Sequence, residues 1–505
     1  MTSKFSSILR NCNPRTVFTH AKQTHVQILI HGLNHDITLQ TDLLLAYSKG
    51  LLLNARKVFD RMRERNMHSW NIIISAYVQN SMYHDGLNVF IELLDSGMKP
   101  DHYSLPPLLK ACAGTNDGVG SLGVVLHGMV VKLGFESYVV VASSVLDYYS
   151  KCGKLKDAKM VFEGLLWKDT VSWNSMALGL AKAGMHFEAL DCFRNMLENR
   201  SAKMDSMTIP TLLNVCGKLG DVIKGKEIHG QVLKNAFFCN DIVIGNSLID
   251  FYSRSGCLCD AEKVFFGMKD KNLVTWTTMI SSYGVHGKGE EALTLFQKMK
   301  DLGFKPNSVT LTAILASCSH SGLIDQGRKI FKSIRSLYDF EPSVEHYACV
   351  VDLLSRFGCF DEALRLINGM NMVPPASVWG ALLAGSLVHR NIKVGEMAAY
   401  RLFKLEPNNA SNYVALCSIY DYRGMWRDAS KVKSKMRMLG LGKTPGCSWI
   451  LIGGEMCTFY QGDFNLDFGT NTTENIKGVV RALHLVLSEK NTFHLNKEET
   501  NRATQ

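Results

Sequence analysis

The chain contains one pair of residues that could take part in zinc-assisted hydrolysis. His186 and Glu188 form its only HxE, in which the histidine could bind zinc and the glutamate could move a proton. Such a centre needs about three protein ligands. No CxxC is present to supply the others, and Cys257 and Cys259 form only a CxC. The sequence therefore predicts no catalytic residue, no metal site and no cofactor, and we expect that the protein is not an enzyme.

Two glycine-rich stretches have partial phosphate-binding patterns. They are a GxGxxG at Gly118, Gly120 and Gly123, and a near phosphate loop at Gly220, Gly225 and Lys226. No strand pattern precedes the first stretch, and Glu227 follows the second where a phosphate loop requires Ser or Thr. Both stretches are therefore interpreted as turns between helices.

The elements that carry these residues recur with a constant period. Tryptophan occurs every 103 residues, at Trp70, Trp173, Trp276 and Trp379. Three further series share nearly the same interval, and they are Tyr47, Tyr149 and Tyr252; Phe59, Phe162 and Phe265, each at the end of an AxxVF segment; and His25, His127 and His229. Four series with one period indicate an internal repeat.

Each period contains three units of about 31, 35 and 36 residues, and each unit has two short helical patterns. In Glu290–Lys300 the apolar residues follow the i, i+3, i+4, i+7 spacing of an amphipathic helix. Gly287 separates this helix from another that is predicted over Thr277–Val285, and Gly303 is a stop signal. The unit is therefore predicted to be a helix–turn–helix.

A single unit of this size cannot be stable alone. Ordering ~35 residues costs roughly 1.5 kcal/mol each, which is more than one apolar stripe returns. Stacked neighbours bury each other's stripes, so the sequence predicts an all-α fold, an α-solenoid with an extended concave face. The Trp, Phe and Met residues at the apolar positions are expected in its core.

The charge of the chain is compatible with a polyanionic partner. The chain has 56 Lys and Arg against 46 Asp and Glu, a net charge of +10 that is spread along its length. No run approaches the roughly 18 apolar residues that a membrane-spanning helix needs, so we expect no membrane partner. No acidic residue occurs between Met1 and His35. This basic segment suits a mitochondrial or plastid presequence, but it suits a basic first helix of the array as well.

Two segments carry a resemblance to a known family. Leu273–Asn307 closely resembles the pentatricopeptide repeat, and so does Met67–Asp101, with SWN near its start and GMKPD at its end. The three alternating repeat lengths resemble the plant PLS subclass. His127-Gly128 and Lys132–Phe135 match the signatures of its long repeats. The resemblance implies a right-handed superhelical α-solenoid.

The C-terminal part resembles the E extension of that subclass. His346–Gly358 is similar to its last short repeat, and Val378–Leu383 and Pro445–Ile450 are similar to landmarks of the extension. The expected domains are 1–36, a possible targeting segment that overlaps a degenerate first repeat; 37–375, the repeat array; 376–449, an E extension of two repeat-like units; and 450–505, a short hairpin, an amphipathic helix and a polar tail. No DYW deaminase domain is expected in the remaining residues.

The resemblance implies that two positions of each repeat recognise one base of single-stranded RNA. They are a polar residue in the first helix and the last residue of the repeat. The expected pairs are Thr41 with Asn66, Asn71 with Asp101, Ser143 with Asp169, Asn174 with Asp205, Asn246 with Asn272, Thr277 with Asn307, and Thr312 with Ser343. In that order they should favour A, U, G, U, a pyrimidine, A and A. Any one of these residues could equally be a helix cap or a turn residue.

Three repeats match the pairing rule poorly. Pro106 with Tyr138 and Pro210 with Asp241 cannot supply the amide or hydroxyl, and Ala348 of the last short repeat is uninformative. The expected target is therefore 5′-A-U-N-G-U-N-Y-A-A-N-3′, where Y is a pyrimidine.

The function implied by the resemblance is site recognition in organellar C-to-U RNA editing. The array would bind single-stranded organellar RNA, and a DYW-type deaminase and multiple-site editing cofactors would act in trans. The mitochondrion is the expected compartment, with the chloroplast as the alternative. Two other functions stay open: a factor in organellar RNA splicing, stability or translation, and a protein-binding adaptor of the tetratricopeptide type.

Overall fold

The computed structural model describes residues 2–13, 17–115, 120–198, 202–235, 237–338, 340–442, 447–452 and 455–460. The chain divides into two compact units, Met1–Leu353 and Leu354–Gln505. The boundary falls inside one helix, Val344–Arg356. Both units are built from antiparallel pairs of short helices, so the all-α fold is confirmed.

The first helix of each pair has an odd number, and these helices are α1 (Thr2–Arg10), α3 (Ile37–Ser48), α5 (Met67–Gln79), α7 (Leu105–Gly114), α9 (Val139–Lys151), α11 (Thr170–Lys182), α13 (Thr208–Leu219), α15 (Ile242–Arg254), α17 (Leu273–Val285), α19 (Ser308–Ser321), α21 (Val344–Arg356), α23 (Ala376–Val388) and α25 (Ala410–Tyr422).

The second helix of each pair has an even number, and these helices are α2 (Lys22–Ile30), α4 (Leu52–Arg61), α6 (Tyr83–Asp95), α8 (Gly120–Lys132), α10 (Leu155–Gly164), α12 (His186–Glu198), α14 (Val222–Lys234), α16 (Leu258–Gly267), α18 (Gly289–Asp301), α20 (Ile324–Tyr338), α22 (Phe360–Asn368), α24 (Ile392–Leu405) and α26 (Trp426–Met438). A π-helical turn covers Val17–Ala21, and a 3₁₀ turn covers Phe135–Ser137.

The pair α17–α18 shows why the sequence folds in this way. Asn272 caps α17 by accepting the backbone N–H of Thr275, which satisfies one of the free donors at the helix start. Gly287 has φ +68° in the turn after α17, and Gly303 has φ +84° just after α18. Glycine adopts this left-handed conformation without steric cost. The predicted helix–turn–helix and its stop signal are therefore confirmed.

The tryptophan and phenylalanine series pack against each other. Trp70, at the start of α5, meets Phe59 of α4 edge-on with the ring centroids 4.8 Å apart. The corresponding distances are 4.9 Å for Phe162 with Trp173 and 5.2 Å for Phe265 with Trp276. Each tryptophan of the series is less than a tenth exposed. The shared period thus arises from one aromatic contact that occurs once in every three repeats, between α4 and α5, α10 and α11, and α16 and α17, and the predicted core position is confirmed.

The glycine patterns are explained mainly by packing. Gly123 and Gly225 lie inside α8 and α14, so their interpretation as turn residues was wrong. Added Cβ atoms would lie 2.2 Å from the Tyr148 ring and 1.9 Å from the Phe251 ring. Gly220, in contrast, ends α13 with φ +70° and is a turn residue as predicted. Only glycine therefore fits at positions 123 and 225, because an aromatic ring of the next repeat occupies the place of a side chain.

The basic N-terminal segment forms part of the helical stack. Leu9 of α1 is fully buried. Arg10 Nε lies 2.8 Å from an Asp42 carboxylate oxygen on α3, and Ser6 also donates to this carboxylate. Asp42 itself is nearly buried. The segment therefore supplies the partners of a charged group in the first full pair of helices.

A two-stranded antiparallel hairpin follows α26. It consists of β1 (Cys447–Ile452) and β2 (Glu455–Tyr460), in which Cys447 pairs with Tyr460 and Ile452 pairs with Glu455. A short hairpin was expected within residues 450–505, and the observed one begins three residues earlier, at Cys447. The predicted amphipathic helix and polar tail lie outside the described residues.

Candidate nucleic-acid interface

The first helices of successive pairs stack on one another, from α3 to α19. Each first-helix polar residue expected to recognise a base is the fifth residue of its helix, as Asn71 is in α5. Each repeat-end residue immediately precedes the next first helix or its opening turn. Asn66, Asp169, Asn272 and Asn307 accept the backbone N–H three residues later. These four residues are therefore helix caps, as the alternative interpretation stated, and they also stand beside the preceding helix.

Three of the expected pairs are joined by a direct hydrogen bond. Asn71 Nδ2 donates to the two carboxylate oxygens of Asp101 at 3.0 and 3.1 Å. Asn174 Nδ2 donates to Asp205 at 3.1 Å. The remaining direct pair is Ser143 Oγ with Asp169 at 3.3 Å. The fold thus brings together residues that lie 26 to 31 positions apart in the chain.

A fourth pair meets through a third side chain. The Thr277 and Thr310 hydroxyls are 2.8 Å apart, and Thr310 donates to Asn307 Oδ1 at 2.9 Å. Thr310 belongs to a set of buried side chains that we call the cap hydroxyls, each three residues after a repeat end and each fully buried: Ser69, Ser104, Ser172, Thr208, Thr275 and Thr310. The sequence analysis did not identify them.

Two cap hydroxyls also touch a first-helix residue in the directly bonded pairs. Ser104 Oγ donates to Asn71 Oδ1 at 2.7 Å, and Ser172 Oγ lies 2.9 Å from Ser143 Oγ. Since a buried hydroxyl fixes the orientation of its partners, these residues hold the paired side chains in place. Their signal in the sequence is a Ser or Thr at a constant offset from the repeat end.

The other three expected pairs have no hydrogen bond between their members in the described part of the chain. Thr41 donates to the backbone of its own helix at 2.7 Å, and Thr312 does the same at 3.0 Å. Ser343 donates its N–H to His346 Nδ1 at 2.9 Å. Asn246 Oδ1 is buried without a partner among the described residues. These positions are placed like the others, but their side chains do not form pairs.

A groove of about 570 Å³ brings successive pairs to one surface. Its lining includes Ser143 and Asp169 of one repeat, Asn174 and Asp205 of the next, and Pro106 of a long repeat. The Ser143 side chain is buried at its floor, whereas the two aspartates are partly exposed. The groove therefore offers hydrogen-bonding groups from neighbouring repeats side by side.

Apolar residues lie three positions before the first-helix position of six repeats, which is polar in five of them and Pro210 in the sixth. They are Val140, Val171, Met207, Val243, Val274 and Val309, and each is more than half exposed. Val140, Val171 and Met207 border the groove. Because they are more than half exposed, these residues contribute little to packing between helices. The sequence analysis missed this row, although its periodicity is visible in the sequence.

A row of cations lies eight positions after the first-helix position of four consecutive repeats, which is polar in three of them and Pro210 in the fourth. It comprises Lys151, Lys182, Lys218 and Arg254, all exposed. Lys151 and Arg254 pair with the aspartates one turn before them, at 2.6 and 2.7 Å. Lys182 and Lys218 form no ion pair among the described residues, so they supply the unpaired positive charge of the row.

The pKa values of two repeat-end aspartates, Asp101 and Asp205, favour their ionised form. Burial alone would raise the pKa of Asp101, but hydrogen bonds from Ser104, Asn71 and the Tyr103 backbone outweigh it and lower this pKa below its usual range. The pKa of Asp205 is lowered for the same reason, with Thr208 as the main donor. An ionised carboxylate only accepts hydrogen bonds, so it orients the neighbouring amide as a donor.

The other candidate chemistry leaves no assembled site in the part of the chain that the structure describes. No group of three or more His, Cys, Asp or Glu residues there could hold a metal ion. His186 begins α12, and Cys257 and Cys259 lie at the start of α16. Within the same residues, no helix has the length and hydropathy required to cross a bilayer.

The first helices of successive pairs stack on one another, and paired polar side chains from neighbouring repeats line one groove. These features define the class of the protein as a helical-repeat protein. Models of the pentatricopeptide repeat match residues 68–98, 140–169, 171–201, 246–273 and 345–372, and the related repeat-family model matches 271–320. A model of the E motif matches residues 389–451.

Curated relatives agree with these matches. The chain is 36% identical to the mitochondrial pentatricopeptide repeat-containing protein At3g26782 of Arabidopsis thaliana over 91% of this chain and 71% of that protein. It is 35% identical to the chloroplastic pentatricopeptide repeat-containing protein CRR2 of the same plant, over 90% of this chain and 69% of that protein. The chain belongs to the pentatricopeptide repeat family and carries an E motif.

The chain spans only part of these relatives. It matches the chloroplastic protein At3g57430 of Arabidopsis thaliana at 38% identity over 91% of its own length, but it covers only 53% of that protein. Among solved structures, the pentatricopeptide repeat protein PPR10 in complex with an 18-nt psaJ RNA element aligns with a TM-score of 0.62. At 18% identity, over 84% of this chain and 64% of that one, this likeness shows the α-solenoid fold.

Proposed function

We propose that the array binds single-stranded RNA with one recognition pair for each nucleotide. The observation that carries this proposal is the groove in which the pairs Ser143–Asp169 and Asn174–Asp205 stand side by side. The exposed valines would contact the base faces, and the cation row would contact the phosphates. In support, the structural neighbour PPR10 was solved with bound RNA.

The chemistry of the Asn–Asp pairs favours uracil. The side-chain amide of Asn174 has two N–H groups, and one of them is used by Asp205. The other can donate to a carbonyl of the base, and Asn174 Oδ1 has no partner among the described residues. Uracil presents a carbonyl next to an N–H, so both remaining groups of the amide can be satisfied. At Ser143 the smaller side chain leaves room for a purine.

The biological role that we propose is site recognition in organellar C-to-U RNA editing, with a deaminase acting in trans. It is supported by the E motif at residues 389–451 and by relatives named as mitochondrial or chloroplastic proteins. Sequencing organellar transcripts from plants with and without the protein tests this role. Loss of conversion at one or a few cytidines is expected, whereas a change only in splicing, abundance or translation would assign the alternative role.

RNA binding itself is tested with the purified full-length chain. We expect tight binding to 5′-A-U-N-G-U-N-Y-A-A-N-3′ and weaker binding to a shuffled sequence of equal composition, measured by fluorescence anisotropy. Removing residues 376 onward should abolish editing while retaining affinity for this short RNA. Absence of any RNA affinity would instead favour a protein-binding adaptor and would refute the proposal.

A further inference from the structure

The expectation that the net charge is spread along the chain is wrong, because more than half of it lies in the E unit, by which we mean residues 389–442. This segment contains ten Lys and Arg against four Asp and Glu, a charge of +6 out of +10 for the whole chain. It is about a tenth of the chain by length. The E unit is therefore a stronger attractor for anions than any comparable length of the array.

The four acidic residues of the E unit are already engaged within it. Asp421 pairs with Lys433 at 3.0 Å, and Asp428 pairs with Lys431 at 2.9 Å. Glu396 accepts the Tyr420 hydroxyl, and Glu406 accepts the Asn409 amide. The other eight cations form no ion pair within the residues that the structure describes.

Exposed aromatic side chains lie among these cations at two neighbouring turns. The Arg390 guanidinium lies over the Tyr422 ring at 4.9 Å, and Arg423 donates to the Arg390 carbonyl at 3.0 Å. Tyr422 is 62% exposed and Trp426 is 67% exposed. Arg427 follows on the open face of α26, which buries only Ala429 and Val432.

The backbone at Arg390 is strained. Its φ is +52°, whereas the equivalent turn after α25 has Gly424 with φ +71°. A non-glycine residue in this conformation costs of the order of 1 kcal/mol or more and persists where the surroundings or function require it. Ser81 has φ +60° at the equivalent turn after α5, so the turn itself requires this conformation, and at Arg390 the residue that adopts it carries a guanidinium that lies over an exposed aromatic ring.

We propose that Arg390, Tyr422, Trp426 and Arg427, the E-unit cluster, bind single-stranded RNA without base selection, outside the segment that the repeats recognise. Cations would contact phosphates and the two rings would stack on bases, a combination that suits any single strand. An acidic protein would satisfy the charge alone, but it would leave the two exposed aromatic rings without a stacking partner. The proposal rests on the proposed function, because the E unit follows the last repeat and would hold RNA on the 3′ side of the recognised segment.

The test compares two RNAs with the full-length protein. One is the expected target alone, and the other carries a 3′ single-stranded extension of about ten nucleotides. Arg390→Ala combined with Arg427→Ala should weaken binding of the extended RNA about tenfold and leave the short RNA unaffected. The slope of log affinity against log salt should fall by about 0.7 for each lost phosphate contact, on the extended RNA only.

The matched control is Lys404→Ala. Lys404 is exposed and lies near the far end of α24, roughly 20 Å of helix from Arg390. The substitution removes one charge from the same unit and should leave the affinities for both RNAs unchanged. Trp426→Ala should weaken binding of the extended RNA, and the slope of log affinity against log salt should stay unchanged.

Three results would overturn the proposal. The wild type could bind the two RNAs with equal affinity, or the double variant could lose affinity equally for both RNAs. The third result is a loss of affinity in Lys404→Ala equal to that in the double variant. In the first case, tight binding of the short RNA would leave the proposed function intact. Circular dichroism melting of each variant separates loss of folding from loss of contact. A variant that melts early is replaced by Arg390→Lys with Arg427→Lys, which should retain the salt slope.

Discussion

The side-chain amide of Asn71 donates to both carboxylate oxygens of Asp101, while its own carbonyl oxygen accepts the Ser104 hydroxyl at 2.7 Å. The amide is therefore held in one orientation from two sides. Ser104 is fully buried and has no path to a ligand. Its role in recognition must be to position the other two residues.

Ser104→Ala should lower the preference for uridine at the position read by Asn71. Loss of the hydroxyl frees the amide to rotate, so discrimination should fall several-fold, and the free energy of unfolding should fall by about 1 kcal/mol. Competition binding with the four bases at that position measures the effect. Ser104→Thr should restore the preference, since Thr208 occupies the equivalent place beside Asp205. Ser96→Ala, which removes a hydroxyl at the end of α6, should change neither property.

Gly225→Ala should destabilise the array, and Gly230→Ala in the same helix should not. A methyl group at position 225 would overlap the Phe251 ring, whereas nothing lies within 4 Å of the place of a Cβ at position 230. Overpacking typically costs about 1–3 kcal/mol. Replacing a helical glycine by alanine without a clash stabilises by up to about 1 kcal/mol. Chemical denaturation of the two variants should shift the midpoint in opposite directions, and equal shifts would refute the packing explanation of the glycine pattern.

The histidine series should make the stability of the array depend on pH. His25, His127 and His229 place Nδ1 at 3.0, 2.9 and 2.8 Å from the hydroxyls of Tyr47, Tyr149 and Tyr252. Burial lowers the pKa of each of these histidines, so the folded state keeps the ring neutral and able to accept the hydroxyl proton. The unfolded chain binds more protons once the pH falls below about 6.5.

The stabilising contribution is therefore full above about pH 6.5 and is lost as the pH falls through the lowered pKa of the folded histidines. We expect the melting temperature to fall between about pH 7.5 and pH 5.5. His229→Asn keeps an acceptor but cannot titrate, so it should reduce this fall. An unchanged pH dependence in the variant would show that the histidine does not contribute.

Lys182→Ala should weaken RNA binding to the same degree for every sequence. Lys182 is exposed at the end of α11 in the cation row, where it would contact phosphate. The magnitude of the salt slope should decrease by about 0.7. Lys156→Ala removes an exposed cation from the second helix α10 and serves as the control. A loss that depends on base identity would assign Lys182 to base recognition instead.

The repeat and its two-helix unit could be predicted from the sequence because they depend on local signals. Apolar spacing sets α17 and α18, and glycine marks their ends. The contact of Trp70 with Phe59 could be detected in the sequence because both residues recur with the same period. Elements of this kind carry their information within about 40 residues of chain.

The details of the site could not be predicted in the same way. Whether a first-helix residue meets the repeat end depends on side-chain rotamers across two helices, and the sequence treats Asn174 with Asp205 like Asn246 with Asn272. The structure joins the first pair through a hydrogen bond of 3.1 Å from Asn174 Nδ2 to Asp205, whereas no hydrogen bond joins the second pair among the described residues. Gly225 was misinterpreted for a related reason. A side chain is excluded there by the Phe251 ring, which lies 26 residues later in the chain.

The most direct test of the account exchanges one recognition residue. Asn174→Ser would turn the pair with Asp205 into a copy of the neighbouring Ser143–Asp169 pair, which lies in the same groove. Equilibrium binding is measured with four RNAs that differ only at the nucleotide read by this repeat. The wild type should prefer uridine and the variant guanosine, each by about tenfold or more. An unchanged preference, or an equal loss of affinity for all four RNAs, would contradict the claim that these paired side chains select the base.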